Sequence, residues 1–325
     1  MRANSLAIKR DQGQRRVTGT HRSLVLHIGK NKAGSTAIQK RIGRLDTPIV
    51  KSRLLSAVFR PSIAPIKSFG FPNARLLASA FQSPHARAYF VERRGKFDEA
   101  QFSAIGASIW QNVEKELSHS SARHFVGSSE FLWAFLEHDD IHALRQRLSG
   151  FFDDVRIVLY LRDQRSDLPS AWAQTVKGPT RSTQSFQEFM DNIEKCRGRW
   201  DYASPLKSWL DVFGVDALCV GLFDRRTLRS GDVVADFCHK AGISDSPLSR
   251  TTGDANRTPS WSNIEALRYQ NHLSLPESTS NAFIESDPSS EIAQAQAKIA
   301  RLVSCGNRWI NATFFEDQPV KLPEA

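Results

Sequence analysis

The stretch Leu24–Gln39, LVLHIGKNKAGSTAIQ, constrains the chain more than any other, because an apolar run breaks into a small-residue loop that passes straight into a helix. Leu24, Val25, Leu26 and Ile28 read as a buried parallel strand, Gly29 to Gly34 as a tight turn, and Ser35 to Arg44 as a helix with Ile38 and Ile42 on one face. The start of such a helix carries unpaired N–H donors and the positive end of the helix dipole, so an anion with several oxygens is its natural guest. Lys32 adds a full positive charge there. The plain alternative is an ordinary strand-turn-helix connection with a solvated lysine.

A nucleoside-triphosphatase loop reads G-x-x-x-x-G-K-[ST], with the lysine directly after the second glycine. GKNKAGST keeps the glycine spacing and the following Ser35-Thr36, but its lysine stands two places before Gly34, on the loop. In this it resembles the 5′-phosphosulfate loop of PAPS-dependent sulfotransferases, at Lys32, Gly34, Ser35 and Thr36. The resemblance implies that Lys32, Ala33, Gly34, Ser35 and Thr36 hold the donor and that Lys32 also acts in catalysis.

A second stretch, Val155–Lys177, opens with the apolar strand Val155 to Leu161 and passes at once into a helix, with Ser166 a plausible N-cap, Pro169 in the first turn and Ser170 about one turn in. Arg162 and Ser170, eight residues apart, would flank one helix N-terminus and share an anion. This segment resembles the 3′-phosphate-binding segment of the same family. A surface pairing of Arg162 with Asp163 or Asp167 is the structural alternative. Arg257, in the polar loop GDANRTPS, resembles the family's late nucleotide-capping segment, and Phe223-Asp224 resembles the aromatic-acidic pair that follows a strand beside the nucleotide, where the family often has Glu in place of Asp.

The short candidate strand His124–Ser128 ends in Ser128-Ser129-Glu130, at the strand end where open α/β sheets keep their ligands. It resembles the S-S-E of bacterial sulfotransferase-like sequences. Glu130 is the first candidate for the base that deprotonates the acceptor, ahead of His27 and His138. It could equally cap the next helix or pair with an arginine.

With 325 residues and 40% hydrophobic content, the chain supports one large core. The expected architecture is α/β in three layers, a central mostly parallel sheet flanked by helices in a P-loop NTPase-like (sulfotransferase) topology, spanning 22–316. Residues 1–21 read as a disordered basic arm, since five of the formal +10 charges lie within residues 1–22 among polar residues, with no aromatic between them. Segment 46–117 is irregular up to Phe97, interrupted by Pro48, Pro61, Pro65, Pro72 and Pro84, and reads as an insertion for the acceptor; Phe59, Phe69, Phe71, Phe81 and Tyr89 either line it or attach it to the body. A helix should follow over Phe97 to Leu117, others over Trp261 to Leu273 and Ser289 to Val303, and the tail 317–325 should fray.

No apolar segment has the length of a membrane span or a signal peptide, and Cys196, Cys219, Cys238 and Cys305 are scattered without metal-ligand spacing, so a cytoplasmic enzyme without a metal is expected. The resemblance implies sulfuryl transfer from PAPS to a hydroxyl or amine of a carbohydrate or small-metabolite acceptor, with no nucleic-acid partner. An ATP-dependent P-loop kinase and a basic nucleic-acid-binding module are the alternatives. The acceptor and the oligomeric state are not legible.

Overall fold

The computed structural model of the protein describes residues 21–30, 32–44, 57–58, 75–93, 98–119, 123–178, 180–193, 197–242, 260–273 and 289–324. Five parallel strands form one sheet in the order β2-β3-β1-β4-β5, with β1 at Ser23–His27, β2 at Ala57–Val58, β3 at His124–Ser128, β4 at Asp154–Leu161 and β5 at Leu218–Leu222. The helices are α1 (Ser35–Arg44), α2 (Pro84–Arg87), α3 (Glu99–His119), α4 (Glu130–Phe135), α5 (His138–Ser149), α6 (Gln164–Lys177), α7 (Phe186–Asp191), α8 (Arg197–Trp200), α9 (Ala203–Phe213), α10 (Val233–Lys240), α11 (Trp261–His272) and α12 (Ser289–Phe314).

Alternation along the strands decides the layers. Leu24, Leu26 and Ile28 face one way and join Phe125, Ile157, Leu159 and Leu161 in a core shared with α3, α5 and α9. Val126, Val158 and Tyr160 face the other way, onto Ala33, Ile38 of α1 and Val233 and Phe237 of α10. A third cluster, with Leu168, Trp172, Phe186, Ile264 and Ile299, binds α6, α7, α11 and α12 to one another. The expected three-layer α/β architecture with a parallel sheet is therefore the one observed.

In the middle strand β1, His27 lies opposite Ser128 of β3 and Val158 of β4. The segments that leave the carboxyl ends of these strands thus share one edge of the sheet, the ligand-carrying edge of open parallel sheets.

Three expectations change. Helix α12 runs on to Phe314, beyond Val303. The tail does not fray, because α12 presents two asparagines one turn apart to the returning chain: Asn311 donates to the Leu322 carbonyl (3.0 Å) and accepts from its N–H (3.0 Å), and Asn307 donates to the Pro323 carbonyl (2.8 Å). Segment 46–117 contributes the edge strand β2 and, over 75–93, a run of short helices, ending in a wide π-turn. Phe81 packs on Trp110 (6.3 Å between ring centres) and Tyr89 on Phe90, Phe131 and Phe135 (5.1, 5.3 and 5.3 Å), so both attach the segment to the body. Phe59, Phe69, Phe71, residues 1–20 of the basic arm and Arg257 lie outside the described residues. Among the described residues no helix is long and apolar enough to cross a membrane.

Leu26, on the central strand, is 1% exposed. Its truncation to Ala should cost about 2–5 kcal/mol, read as a lower urea midpoint at an unchanged denaturant slope.

Candidate anion-binding site

The loop between β1 and α1 is shaped by its glycines and by one carbonyl. A Cβ on Gly29 would collide with the His27 ring and come 2.8 Å from Ser35 Oγ. Gly34 has φ 82°, and a Cβ there would lie 2.8 Å from Val233 Cγ1 and 2.9 Å from the Phe223 ring. The loop can therefore lie this close against its own core only without side chains at these positions. The Lys30 carbonyl accepts from the Ala33 N–H (3.2 Å) and from Ser35 Oγ (3.1 Å). Lys32 stands between them at φ 67°, a left-handed conformation that costs a non-glycine residue about 1–2 kcal/mol. Ala33 is buried in the core between the sheet and α10, so it offers the site backbone only. With the Ser35 hydroxyl committed to Lys30, Thr36 is the exposed hydroxyl. The backbone N–H groups of Ser35 and Thr36 open α1 and have no intrahelical partner.

The second motif meets the first directly. Asp163, not Ser166, caps α6: its Oδ1 accepts the Arg165 N–H at 2.8 Å. Pro169 consequently falls in the second turn, where its missing N–H leaves the Arg165 carbonyl to accept from Gln296 Nε2 of α12 (3.4 Å). Ser170, 8% exposed, stands nearly two turns in. Arg162 folds back onto the helix start, donating from Nε to Ser166 Oγ (3.1 Å) and from Nη2 to the Ser166 carbonyl (3.1 Å). Its Nη1 reaches the Lys32 carbonyl at 3.4 Å. Ser166 and Ser170 share a face of α6 by their spacing. Gln164, wholly buried at the start of α6, is held by Asn307 of α12 (3.0 and 3.2 Å).

Lys30, Lys177 and Arg199, which the sequence does not single out, belong here with Asp167, which is buried against Lys30 and 3.9 Å from Arg162 Nη1 and so is no surface partner. Lys30 Nζ binds Asp167 Oδ2 at 2.9 Å, with side chains 6% and 0% exposed. The same ammonium lies over the rings of Tyr202 (5.0 Å) and Trp200 (5.9 Å). The Lys32 amine is pulled below its ordinary pKa first by burial and then by Lys177, with Arg162 and Arg199 adding to this and Asp167 opposing it. Lys177, Arg162 and Arg199 thus each oppose the charge on Lys32, and an anion beside it relieves that repulsion. Nothing in the sequence marks Lys30 or the burial of Asp167, but Lys177 stands seven residues beyond Ser170, on the same helix face, a spacing that could have found it.

Of the candidate bases, Glu130 opens α4 directly behind β3, where the Ser129 N–H donates to the His27 carbonyl (2.8 Å) and draws this strand end beside the loop. His27 is wholly buried, with Nδ1 2.8 Å from Ser128 Oγ and its ring set against Phe237 (5.7 Å) and Tyr160 (6.1 Å). Burial drives its pKa down to about 3, so the ring is neutral. His138 is hydrogen-bonded to Asp211 of α9 (2.8 Å) and to Asp139 (3.5 Å), contacts that raise its pKa. Asp224 is turned onto Arg226 (2.7 Å). Among the described residues no group of three or more His, Cys, Asp or Glu side chains is placed to hold a metal ion.

The buried His27 gives a pH test. As its folded pKa of about 3 lies below the ordinary 6.5, the unfolded state takes up the proton first; the stability from the neutral ring is complete above about pH 6.5 and falls by about 1.4 kcal/mol per unit below it. Between about pH 7.5 and pH 5 the wild type should lose about 2 kcal/mol more than His27→Gln, measured by urea unfolding at the two pH values.

No protein-family model matches the chain. A stretch of 114 residues, 34% of this chain, is 36% identical to an uncharacterized protein of Archaeoglobus fulgidus and spans 28% of that relative's length. Solved structures of similar outline include a sulfotransferase from Alicyclobacillus acidocaldarius (TM-score 0.43, 16% identity, 88% of this chain and 96% of that one). The sulfotransferase domain of a Synechococcus olefin synthase gives a TM-score of 0.38 at 12% identity over 90% of this chain and 99% of its own. A mouse sulfotransferase complexed with PAP gives 0.35 at 11% identity over 91% and 84%. Likeness at this level carries no argument about chemistry, which rests on the site's own geometry.

Proposed function

We propose that the protein is a PAPS-dependent sulfotransferase that moves a sulfuryl group to a hydroxyl or amine of a carbohydrate or small-metabolite acceptor. The observation that supports this best is that two strand-to-helix anion sites adjoin, Arg162 at the head of α6 touching the backbone of Lys32 in the loop before α1. A donor with a 5′-phosphosulfate and a separate 3′-phosphate asks for two such sites. The fit is one of donors as well: N–H groups and Thr36 at the start of α1, an ammonium on the loop, and a guanidinium and a hydroxyl at α6.

When bound, PAPS supplies the sulfuryl group and leaves as PAP. Lys32 and the N–H groups of Gly34, Ser35 and Thr36 would neutralise charge growing on the 5′-phosphate side, and Arg162 with Ser170 would hold the 3′-phosphate. Glu130, beside the loop at the end of β3, would take the acceptor's proton. Arg257 would close over the nucleotide. This role for Arg257 and the acceptor class are carried by the sequence resemblance, and the cytoplasmic setting by the scattered cysteines.

Calorimetry with PAP, AMP and ATP tests the reading. One charge-assisted contact to the 3′-phosphate is worth about 1.5–3 kcal/mol, so PAP should bind at least tenfold more tightly than AMP. The preference should nearly vanish in Arg162→Ala/Ser170→Ala, with AMP affinity little changed. Equal affinity of the wild type for PAP and AMP rejects the reading, and tight ATP binding with turnover only in Mg²⁺ would point to a kinase. A folded Lys32→Ala variant should release PAP from PAPS about 10²–10³ times more slowly over a panel of carbohydrate and small-metabolite acceptors.

A further inference from the structure

Resting on that reading, we infer that the buried Lys30–Asp167 pair is a positioning device that sets the distance between the 5′-phosphosulfate loop and the 3′-phosphate helix, so that one donor molecule spans both. Neither residue is placed against the donor; each acts through a neighbour.

The two ends of Lys30 do different work. Its carbonyl closes the loop by accepting from Ala33 N–H and Ser35 Oγ, and its ammonium leaves the loop to reach Asp167 in the first turns of α6 at 2.9 Å. Asp167 in turn lies beside the 3′-phosphate donors: its Oδ1 has no hydrogen-bond partner and stands 3.9 Å from Arg162 Nη1. Arg162 Nη1 donates to the Lys32 carbonyl. The contacts form a closed circuit from Lys30 through Asp167 and Arg162 back to Lys32, two residues further along the loop. Without the ion pair, the long 3.4 Å contact from Arg162 is the remaining tie within that circuit.

Stability alone does not account for such a pair. Removing two charges from water costs about as much as their attraction returns, and apolar replacements of similar volume are often neutral or better. An aspartate beside an anion site also opposes the anion. What the pair provides is a short, directional link between two elements that pack in different clusters, α1 against α10 and α6 against α11 and α12.

The test compares PAP and AMP affinity in the wild type, in Lys30→Met/Asp167→Leu and in Asp167→Asn, with thermal unfolding of each as a control for folding. The double variant leaves the net charge unchanged, so a loss there is positional. Its PAP-over-AMP preference should fall about tenfold, within the usual range for coupling between two sites, while AMP affinity stays near the wild-type value because the Lys30 carbonyl still closes the loop. Asp167→Asn keeps the shape should the double variant not fold. It removes a negative charge, which by electrostatics alone would leave anion binding level or tighter, whereas a weakened link lowers the preference for PAP. A folded variant of either kind with the wild-type ratio overturns the inference alone. A wild type that does not discriminate PAP from AMP overturns the proposed function and this inference with it.

Discussion

The parallel register of β1 between β3 and β4 is the constraint on which the rest of the molecule depends. Because His27 is level with both Ser128 and Val158, the loop to α1 and the starts of α4 and α6 are delivered to one edge of the sheet. A slip of one residue would exchange the faces of Leu24, Leu26 and Ile28 with those of Val25 and His27, and neither core would close. The anion site is thus a by-product of strand pairing: the helix starts come first, and the charged side chains decorate a place the backbone has already made.

That place is costly to build. A non-glycine residue at φ 67°, two buried charges and a histidine held neutral all lie within the same turn of chain or against it. Strain and misplaced charge of this kind persist where the surroundings over-determine them. Here the surroundings do so through the edge-to-face contact of His27 with Phe237, the cover of Tyr202 and Trp200 over Lys30, and the close approach of Phe223 and Val233 to Gly34. The apolar body therefore fixes the orientation of the polar site, not merely its location.

The regular elements were legible because their apolar residues repeat with the period of the element that buries them: α1 and β3 have the expected ends, and β4 differs by one residue. What was not legible depends on partners far away in the chain. Asp163 and Ser166 are both good caps, and only the helix's true start chooses between them. Pro169 reads as a first-turn proline unless one knows that Gln296, on α12, accepts the task of satisfying Arg165. Lys30 and Asp167 look like solvated surface residues by type and neighbourhood; Lys30 is covered by Tyr202 and Trp200, which no local pattern brings to the loop, and Asp167 is buried against it.

The asparagine pair on α12 has a consequence for handling the protein. Asn307 grips both Gln164, 143 residues earlier in the chain, and the carbonyl of Pro323 in the tail. The last residues and the first turn of α6 are thus fastened to the same amide. Shortening the chain behind Phe315 would strip that amide of one partner and uncover Leu322's seat. Nucleotide affinity in such preparations would then report on the fastening as much as on the residues that touch the nucleotide.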